Sequence, residues 1–273
     1  MTDRKIRAMV VDIDGTLAMM DKDTGTYEPL PGAVALLNAA RAKAVPVVAY
    51  TNGTFFPPAH YYPKLAAAGL EIDDGHVMTP AVVAAESLKA LGHSRVMVMA
   101  DDGIRVPLTN AGIELVEPVK GAGAVDAVMI GYTRNISADT LEAVVSAVWN
   151  GAKPFASSAA PFVAGAGGKI LGIPGALSAA LKHATGEDVT VFGKPSVAGM
   201  EIACALTGVA PEETAVIGDD PKLEITMARR AGALAVGVTT GIADEAGFMA
   251  YAEDVRAQII LPSLEGLLAR IEL

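Results

Sequence analysis

Two aspartates stand one residue apart in the run Lys5-Ile6-Arg7-Ala8-Met9-Val10-Val11-Asp12-Ile13-Asp14-Gly15-Thr16-Leu17. A carboxylate so placed can attack phosphorus to give an aspartyl-phosphate. Two anions repel, so the chemistry also needs a hard cation and positive donors. Residues of that kind recur far along the chain. Thr51-Asn52-Gly53-Thr54 offers a hydroxyl and glycine-opened amides, a small anion cradle. Gly193-Lys194-Pro195-Ser196 offers an ammonium, and Gly218-Asp219-Asp220-Pro221-Lys222-Leu223-Glu224 offers further acids. Each alone has an ordinary structural explanation, since Asx-Gly pairs make turns. Their joint occurrence in this order does not.

What must position them is a set of strands. Ala8 to Val11 reads as a buried central strand, because four consecutive apolar residues suit a sheet covered on both faces. Asp12 and Asp14 then leave its carboxyl end, with Gly15 permitting the turn. Val45 to Tyr50, Asp188 to Phe192 and Thr214 to Ile217 repeat the pattern, ending at Thr51, Lys194 and Asp219. In an open parallel sheet that edge is where ligands bind. Further strands are expected at residues 95–100, 124–131 and 233–238. Helices are expected from about Gly32 to Ala44, over residues 57–69, 79–91 with Thr79 as cap, 108–116, 137–150 and 175–186, and as a short tail over 263–271.

Other segments carry weaker signals. The polar stretch from Ala18 to Tyr27 reads as a loop and a flap beside the site entrance. Gly165-Ala166-Gly167-Gly168-Lys169 resembles a Walker loop only superficially, with Val163 and Ile170 at the glycine and hydroxyl positions. It is expected to be a flexible loop from which Lys169 contacts substrate. Asp101 and Asp102 read as a capped turn, Asp220 as loop-capping or second-shell, and Cys204 as core packing in an apolar helix.

Composition narrows the classes. With 273 residues and 52% hydrophobic content, the chain is long enough for one large domain or two moderate ones. A formal charge of −10, from 21 basic and 31 acidic residues, argues against nucleic acid or an anionic membrane as partner. No apolar run is long enough to span a bilayer, and Met1-Thr2-Asp3-Arg4-Lys5 leads into a strand without a signal-peptide pattern. The expectation is a soluble cytoplasmic protein.

The strand followed by Asp12-Ile13-Asp14-Gly15-Thr16-Leu17 resembles motif I of the haloacid dehalogenase-like superfamily. Thr51 is similar to its motif II, Gly193-Lys194-Pro195 to motif III, and Gly218-Asp219 to motif IV. Val125-Asp126-Ala127-Val128 with Gly131-Tyr132, Gly151-Ala152-Lys153 and Val238-Thr239-Thr240-Gly241 resemble the NagD-like branch, subfamily IIA. The resemblance implies an α/β fold with a Rossmann-like parallel-sheet core, residues 1–79 and 182–273, and an inserted α/β cap of the C2 type, residues 80–181. It implies Asp12 as nucleophile, Asp14 as acid and base, and Lys194 as the charge that steadies them. Thr51, Asn52 and Gly53 would bind the phosphoryl group. Mg2+ would be held by the Asp12 carboxylate, the Asp14 main-chain carbonyl and Asp219. The implied activity is a magnesium-dependent phosphatase acting on a small phosphorylated metabolite such as a sugar phosphate or nucleotide, with a homodimer through the cap.

Two departures stand out. Glu224 replaces the family's usual aspartate, and its longer side chain reaches a metal-bound water or a lysine instead. Ser157-Ser158-Ala159-Ala160 stands where relatives carry Thr-Asn-x-Asp, so a cap acid is absent and an altered substrate preference is expected. A dehalogenase needs no acid at Asp14, and no Schiff-base lysine of a phosphonatase is identifiable. The alternative from another class is a catalytically silent metabolite-binding or scaffold protein.

Overall fold

The computed structural model describes residues 5–21, 23–165 and 168–273. Residues 1–4 of the expected N-terminal lead-in, Lys22 of the flap and Ala166-Gly167 of the glycine-rich loop lie outside the described residues. The chain divides into two compact units, residues 1–51, 59–78 and 194–273, and residues 52–58 and 79–193.

The first unit is built on six strands: β1 (Ala8–Val11), β2 (Val47–Tyr50), β3 (Val77–Met78), β4 (Thr214–Gly218), β5 (Leu234–Val238) and β6 (Ile259–Leu261). They lie in the order β6-β5-β4-β1-β2-β3, all parallel. Every residue of β1, β4 and β5 is buried, as expected of strands covered on both faces. Helices Ala33–Ala42, Tyr61–Ala67, Ala198–Thr207 and Thr226–Ala231 belong to this unit. Its core joins Met9, Val11 and Ile217 of the strands to Leu36 and Leu65 of the helices. Chain direction across the sheet reverses at β1, which pairs with β4 on one side and β2 on the other. A crevice opens at such a switch point, beyond the carboxyl ends of the strands.

The stretch expected as a loop after motif I is a hairpin. Ala18–Met20 pairs antiparallel with Tyr27–Pro29, and Lys64 Nζ donates to the Gly25 carbonyl at 2.8 Å, tying down its tip. The tail expected as an amphipathic helix over 263–271 is a tighter 3₁₀ segment, Leu264–Ala269. Ser263 caps it by accepting from the Glu265 amide, and Gly266 lies inside it.

The second unit holds a five-stranded parallel sheet in the order Thr190–Val191, Lys153–Ala156, Ala127–Ile130, Arg95–Met99, Glu114–Val116. Val144 and Val148 of helix Ala138–Trp149 pack with Val128 and Ile130 of the central strand. Ser137 and Thr140 cap that helix reciprocally, the Thr140 amide donating to Ser137 Oγ and the Ser137 amide to Thr140 Oγ1. The helix expected over 108–116 lies earlier, at Asp102–Asn110, and Glu114–Val116 is a strand. Pro107 sits inside that helix, where a proline normally signals a break. Thr79 occupies the cap position of helix Pro80–Ala90, but its hydroxyl is buried without a hydrogen-bond partner. Of the glycine-rich stretch and its flanks, the described residues Phe162–Gly165 and Gly168–Leu171 pair as antiparallel strands where a loop is expected. Lys169 Nζ lies 4.3 Å over the Phe162 ring there. Among the described residues no helix is long and apolar enough to cross a membrane.

Candidate active site

The register of the first unit's sheet sets the site. Val11 pairs with Ile217, and the Asp12 amide donates to the Ile217 carbonyl at 2.9 Å. Asp12 and Asp219 therefore leave adjacent strands at the switch point, both buried. Asp14 lies in the turn just beyond and is exposed, so its carboxyl can exchange protons with solvent. Gly15 makes that turn with φ +91°, and a Cβ on it would stand 2.5 Å from Asp219 Oδ2.

Lys194 is the centre of the cluster. Its side chain is 1% exposed, and its three N–H donors match three acceptors: Asp12 Oδ1 at 2.5 Å, Glu224 Oε1 at 2.7 Å and the Tyr50 carbonyl at 2.7 Å. The ammonium also lies 5.1 Å from the Tyr50 ring centroid. Two strand ends and the turn after a third strand thus converge on one cation. Burial alone would strip its proton, but the carboxylates of Asp12 and Glu224 outweigh that and hold Lys194 above its ordinary value. It remains an ammonium throughout the working pH range.

The acids are out of balance. Burial pushes Asp12 well above the usual carboxylate range; Lys194 pulls it back, while Glu224 and Asp219 push it further. Burial, with Glu224 beside it, raises Asp219 to about 6, although the Ile242 amide donating to Oδ2 at 2.7 Å favours the charged form. Three buried carboxylates share one ammonium, leaving excess negative charge that desolvation makes costly.

Glu224 reaches Lys194 because of how the chain turns after β4. Pro221–Ile225 forms a wide π-helical turn, with Asp220 at its head accepting from the Lys222 amide at 2.7 Å. The Asp220 amide donates to Glu224 Oε2 at 3.2 Å, orienting the carboxylate. The stem passes over Gly218, where a Cβ would overlap Glu224 Cγ. The contact to a lysine expected for the long side chain is made. Glu224→Ala removes one of two carboxylate partners and opens a void over Gly218. It should cost about 3 kcal/mol in urea unfolding; a loss below about 1 kcal/mol contradicts this account of the pair.

The remaining expected residues divide. Thr51 is buried at the end of β2, its amide donating to the Met78 carbonyl at 3.1 Å. Asn52 and Gly53 belong to the compact unit of residues 52–58 and 79–193. There Asn52 Oδ1 lies 3.0 Å from where a Cβ on Gly193 would stand, and the Gly193 amide donates to the Ser157 carbonyl at 3.1 Å. Asp220 caps the π-helical turn, as one of its two expected roles required. Sequence reasoning missed the Tyr50 carbonyl and the loop after β5, which holds Asp219 and Gly15 through the Ile242 amide and the Thr240 hydroxyl. The only signal was the polar Thr239-Thr240-Gly241 after an apolar run.

The donors suited to a cation are the Asp12 and Asp219 carboxylates with a main-chain oxygen of the intervening turn. No three His, Cys, Asp or Glu side chains are gathered in a metal-holding group among the described residues. A hard ion that takes one or two carboxylates and keeps its waters fits this set; a soft ion or a closed cage does not.

Comparison with known proteins places the chain. A model for haloacid dehalogenase-like hydrolases matches residues 9–114, and a second model, for HAD-like hydrolases, matches residues 191–267. Haloacid dehalogenase-like hydrolase domain-containing protein 2 of Bos taurus is 31% identical over 88% of this chain and 86% of its own length. NagD from E. coli K-12 superposes with a TM-score of 0.82 at 25% identity, covering 96% of this chain and 98% of NagD. The glycerol phosphate phosphatase of Mycobacterium tuberculosis, solved in complex with magnesium, gives a TM-score of 0.83 at 26% identity over 96% of this chain and 76% of its own. On these matches, the chain belongs to the haloacid dehalogenase-like hydrolases, within their NagD-like phosphatases.

Proposed function

We propose that this phosphatase hydrolyses a small phosphate monoester through a phosphoryl group carried on Asp12, with Mg2+ as its cation. The observation that carries the reading is the buried Lys194 ammonium held between Asp12 and Glu224. An isolated carboxylate cannot approach a phosphate dianion; one steadied by a fixed, desolvated cation can.

Asp12 attacks phosphorus in line as the ester P–O bond breaks, and Asp14 gives its proton to the departing oxygen. Water, deprotonated by Asp14, then attacks the same phosphorus, the bond to the Asp12 oxygen breaks, and phosphate leaves. Asp14 ends each cycle protonated, ready for the next. Lys194 keeps its proton and follows the negative charge from the carboxylate to the phosphoryl oxygens. Thr51 holds one of those oxygens. Asp12, Asp219 and the Asp14 carbonyl would hold Mg2+, which when bound would neutralise negative charge at the site. The M. tuberculosis glycerol phosphate phosphatase, solved with magnesium, supports both the ion and a short polyol or sugar phosphate as substrate.

The second unit is taken as the cap that selects among esters, and Ser157-Ser158-Ala159-Ala160 as the place where its preference departs from relatives. Ser157 continues the sheet edge there, its amide donating to the Ile130 carbonyl at 2.9 Å. Assay of the wild-type protein against phosphorylated metabolites with Mg2+ tests the reading. Magnesium-dependent release of phosphate from at least one small ester is expected, and tight binding without turnover across the panel refutes it.

Metal also links to stability. With Asp219 raised to about 6, the metal-free native state binds more protons than the unfolded chain between about pH 4 and pH 6. Stability therefore falls as pH rises through that window. Saturating Mg2+ should restore it, by about 2.7 kcal/mol at 100 times Kd. The melting shift on adding Mg2+ to EDTA-treated protein should be larger at pH 7.5 than at pH 5, where protons compete for the same oxygens. An equal shift at both pH values contradicts the assignment of Asp219.

A further inference from the structure

Residues 240–243, in the loop after β5, carry no charged side chain, yet they hydrogen-bond to two other segments. Thr240 Oγ1 donates to the Gly15 carbonyl at 2.6 Å. The Ile242 amide donates to Asp219 Oδ2 at 2.7 Å, and the Ala243 amide to the Asp219 main-chain carbonyl at 3.3 Å. Between them Gly241 lies against the Asp219 carboxylate so closely that a Cβ on it would overlap Oδ2. The backbones of Gly15 and Gly241 thus both approach the carboxylate too closely to carry a side chain.

We propose that this loop is a positioning clamp for the cation site, with Thr240 and Gly241 as its determining residues. The inference rests on the reading of Asp12, Asp14 and Asp219 as the cation's holders. Its logic is geometric. A peptide unit is planar, so the Asp14 carbonyl points opposite to the Gly15 N–H. That N–H donates to the Ala18 carbonyl at 2.9 Å, which sets the plane. Thr240 then fixes the next carbonyl, so Gly15 is held at both of its polar groups. On the other strand, committing one Asp219 oxygen to the Ile242 amide determines where the second points. One loop therefore orients two donors that come from strands more than 200 residues apart in sequence.

Outer partners of metal donors typically contribute 10- to 100-fold in affinity. Thr240→Val keeps the shape and removes the hydroxyl, and should weaken metal binding roughly 10-fold. Thr240→Ser should restore it. Gly241→Ala, which displaces the carboxylate itself, should weaken it by roughly 100-fold.

The test is Mn2+ binding to the full-length protein without substrate, read by the loss of the free-ion EPR signal, with far-UV circular dichroism to verify folding. Asp219→Asn runs beside it as the control on the underlying reading. Weakened binding in Thr240→Val, rescue in Thr240→Ser and near loss in Asp219→Asn support the clamp. Wild-type affinity in a folded Thr240→Val, with Asp219→Asn impaired, overturns the clamp and leaves the site assignment standing. Wild-type affinity in Asp219→Asn overturns the assignment itself. Should the valine variant fail to fold, Thr240→Ala carries the same expectation and the same refutation.

Discussion

Asp12→Asn is expected to lose turnover by roughly 10⁴-fold or more, the scale seen when a nucleophile is removed from a working catalytic unit. Its stability should be unchanged or higher. An amide cannot form the acyl-phosphate, yet it has nearly the shape of the carboxylate, and its oxygen still accepts from Lys194 at the position of Asp12 Oδ1. Lys194 keeps Glu224 and the Tyr50 carbonyl in any case. What disappears is one of three buried anions facing a single ammonium, so desolvation and repulsion both fall. Function here is held against stability, as is common at catalytic sites. Steady-state assay and thermal melting of the metal-free variant check the two halves. Residual activity within 10-fold of wild type removes Asp12 from its role, and a large drop in melting temperature shows that the Asp12–Lys194 attraction outweighs the repulsion.

Lys194→Met should fail on both counts. The thioether chain fills much of the lysine stem's volume but leaves Asp12 and Glu224 buried with no counter-charge. Removing one partner from a buried ion pair costs about 3–5 kcal/mol, because the remaining charge stays desolvated. The loss should be larger at pH 7.5 than at pH 5, since buried Asp12, whose affinity for protons is already raised, can take one up at the lower pH in compensation. Chemical unfolding at the two pH values measures this. A pH-independent loss points to packing alone, and no loss shows that the ammonium is not what balances the cluster. Turnover should fall with the charge that guided the phosphoryl oxygens.

How far these residues were legible follows from what kind of interaction joins them. Val11-Asp12 and Gly218-Asp219 could be read because a fully buried strand must be apolar along its whole length, so a carboxylate marks its end. Lys194 could be read as a strand-end cation, but not its depth, because burial depends on three strands that only the sheet order brings together. Glu224 was legible as a departure from the pattern. That its stem is accommodated by Gly218 and a π-helical turn was not, since neither the missing Cβ nor the wide turn has a local signature. The clamp of Thr240 and Ile242 acts largely through main-chain groups, which every residue possesses, so its sequence trace is faint. The misplaced helix near residue 108 has a local cause: the polar Asp101-Asp102 reads as a capped turn, yet the helix Asp102–Asn110 starts there and carries Pro107 inside it. The ribbon Phe162–Gly165 with Gly168–Leu171 was hidden by glycines, which weaken strand propensity even where cross-strand pairing forms.

The central claim is that the buried lysine lets one carboxylate take a phosphoryl group from another anion. Its most direct measurement is rapid acid quench of the protein turning over a ³²P-labelled phosphate ester with Mg2+, followed by peptide mapping. The account predicts an acid-stable, hydroxylamine-labile label on the peptide containing Asp12, formed and consumed at least as fast as turnover and absent in Asp12→Asn. Label on a histidine, or steady turnover by Asp12→Asn with no label on that peptide, contradicts it.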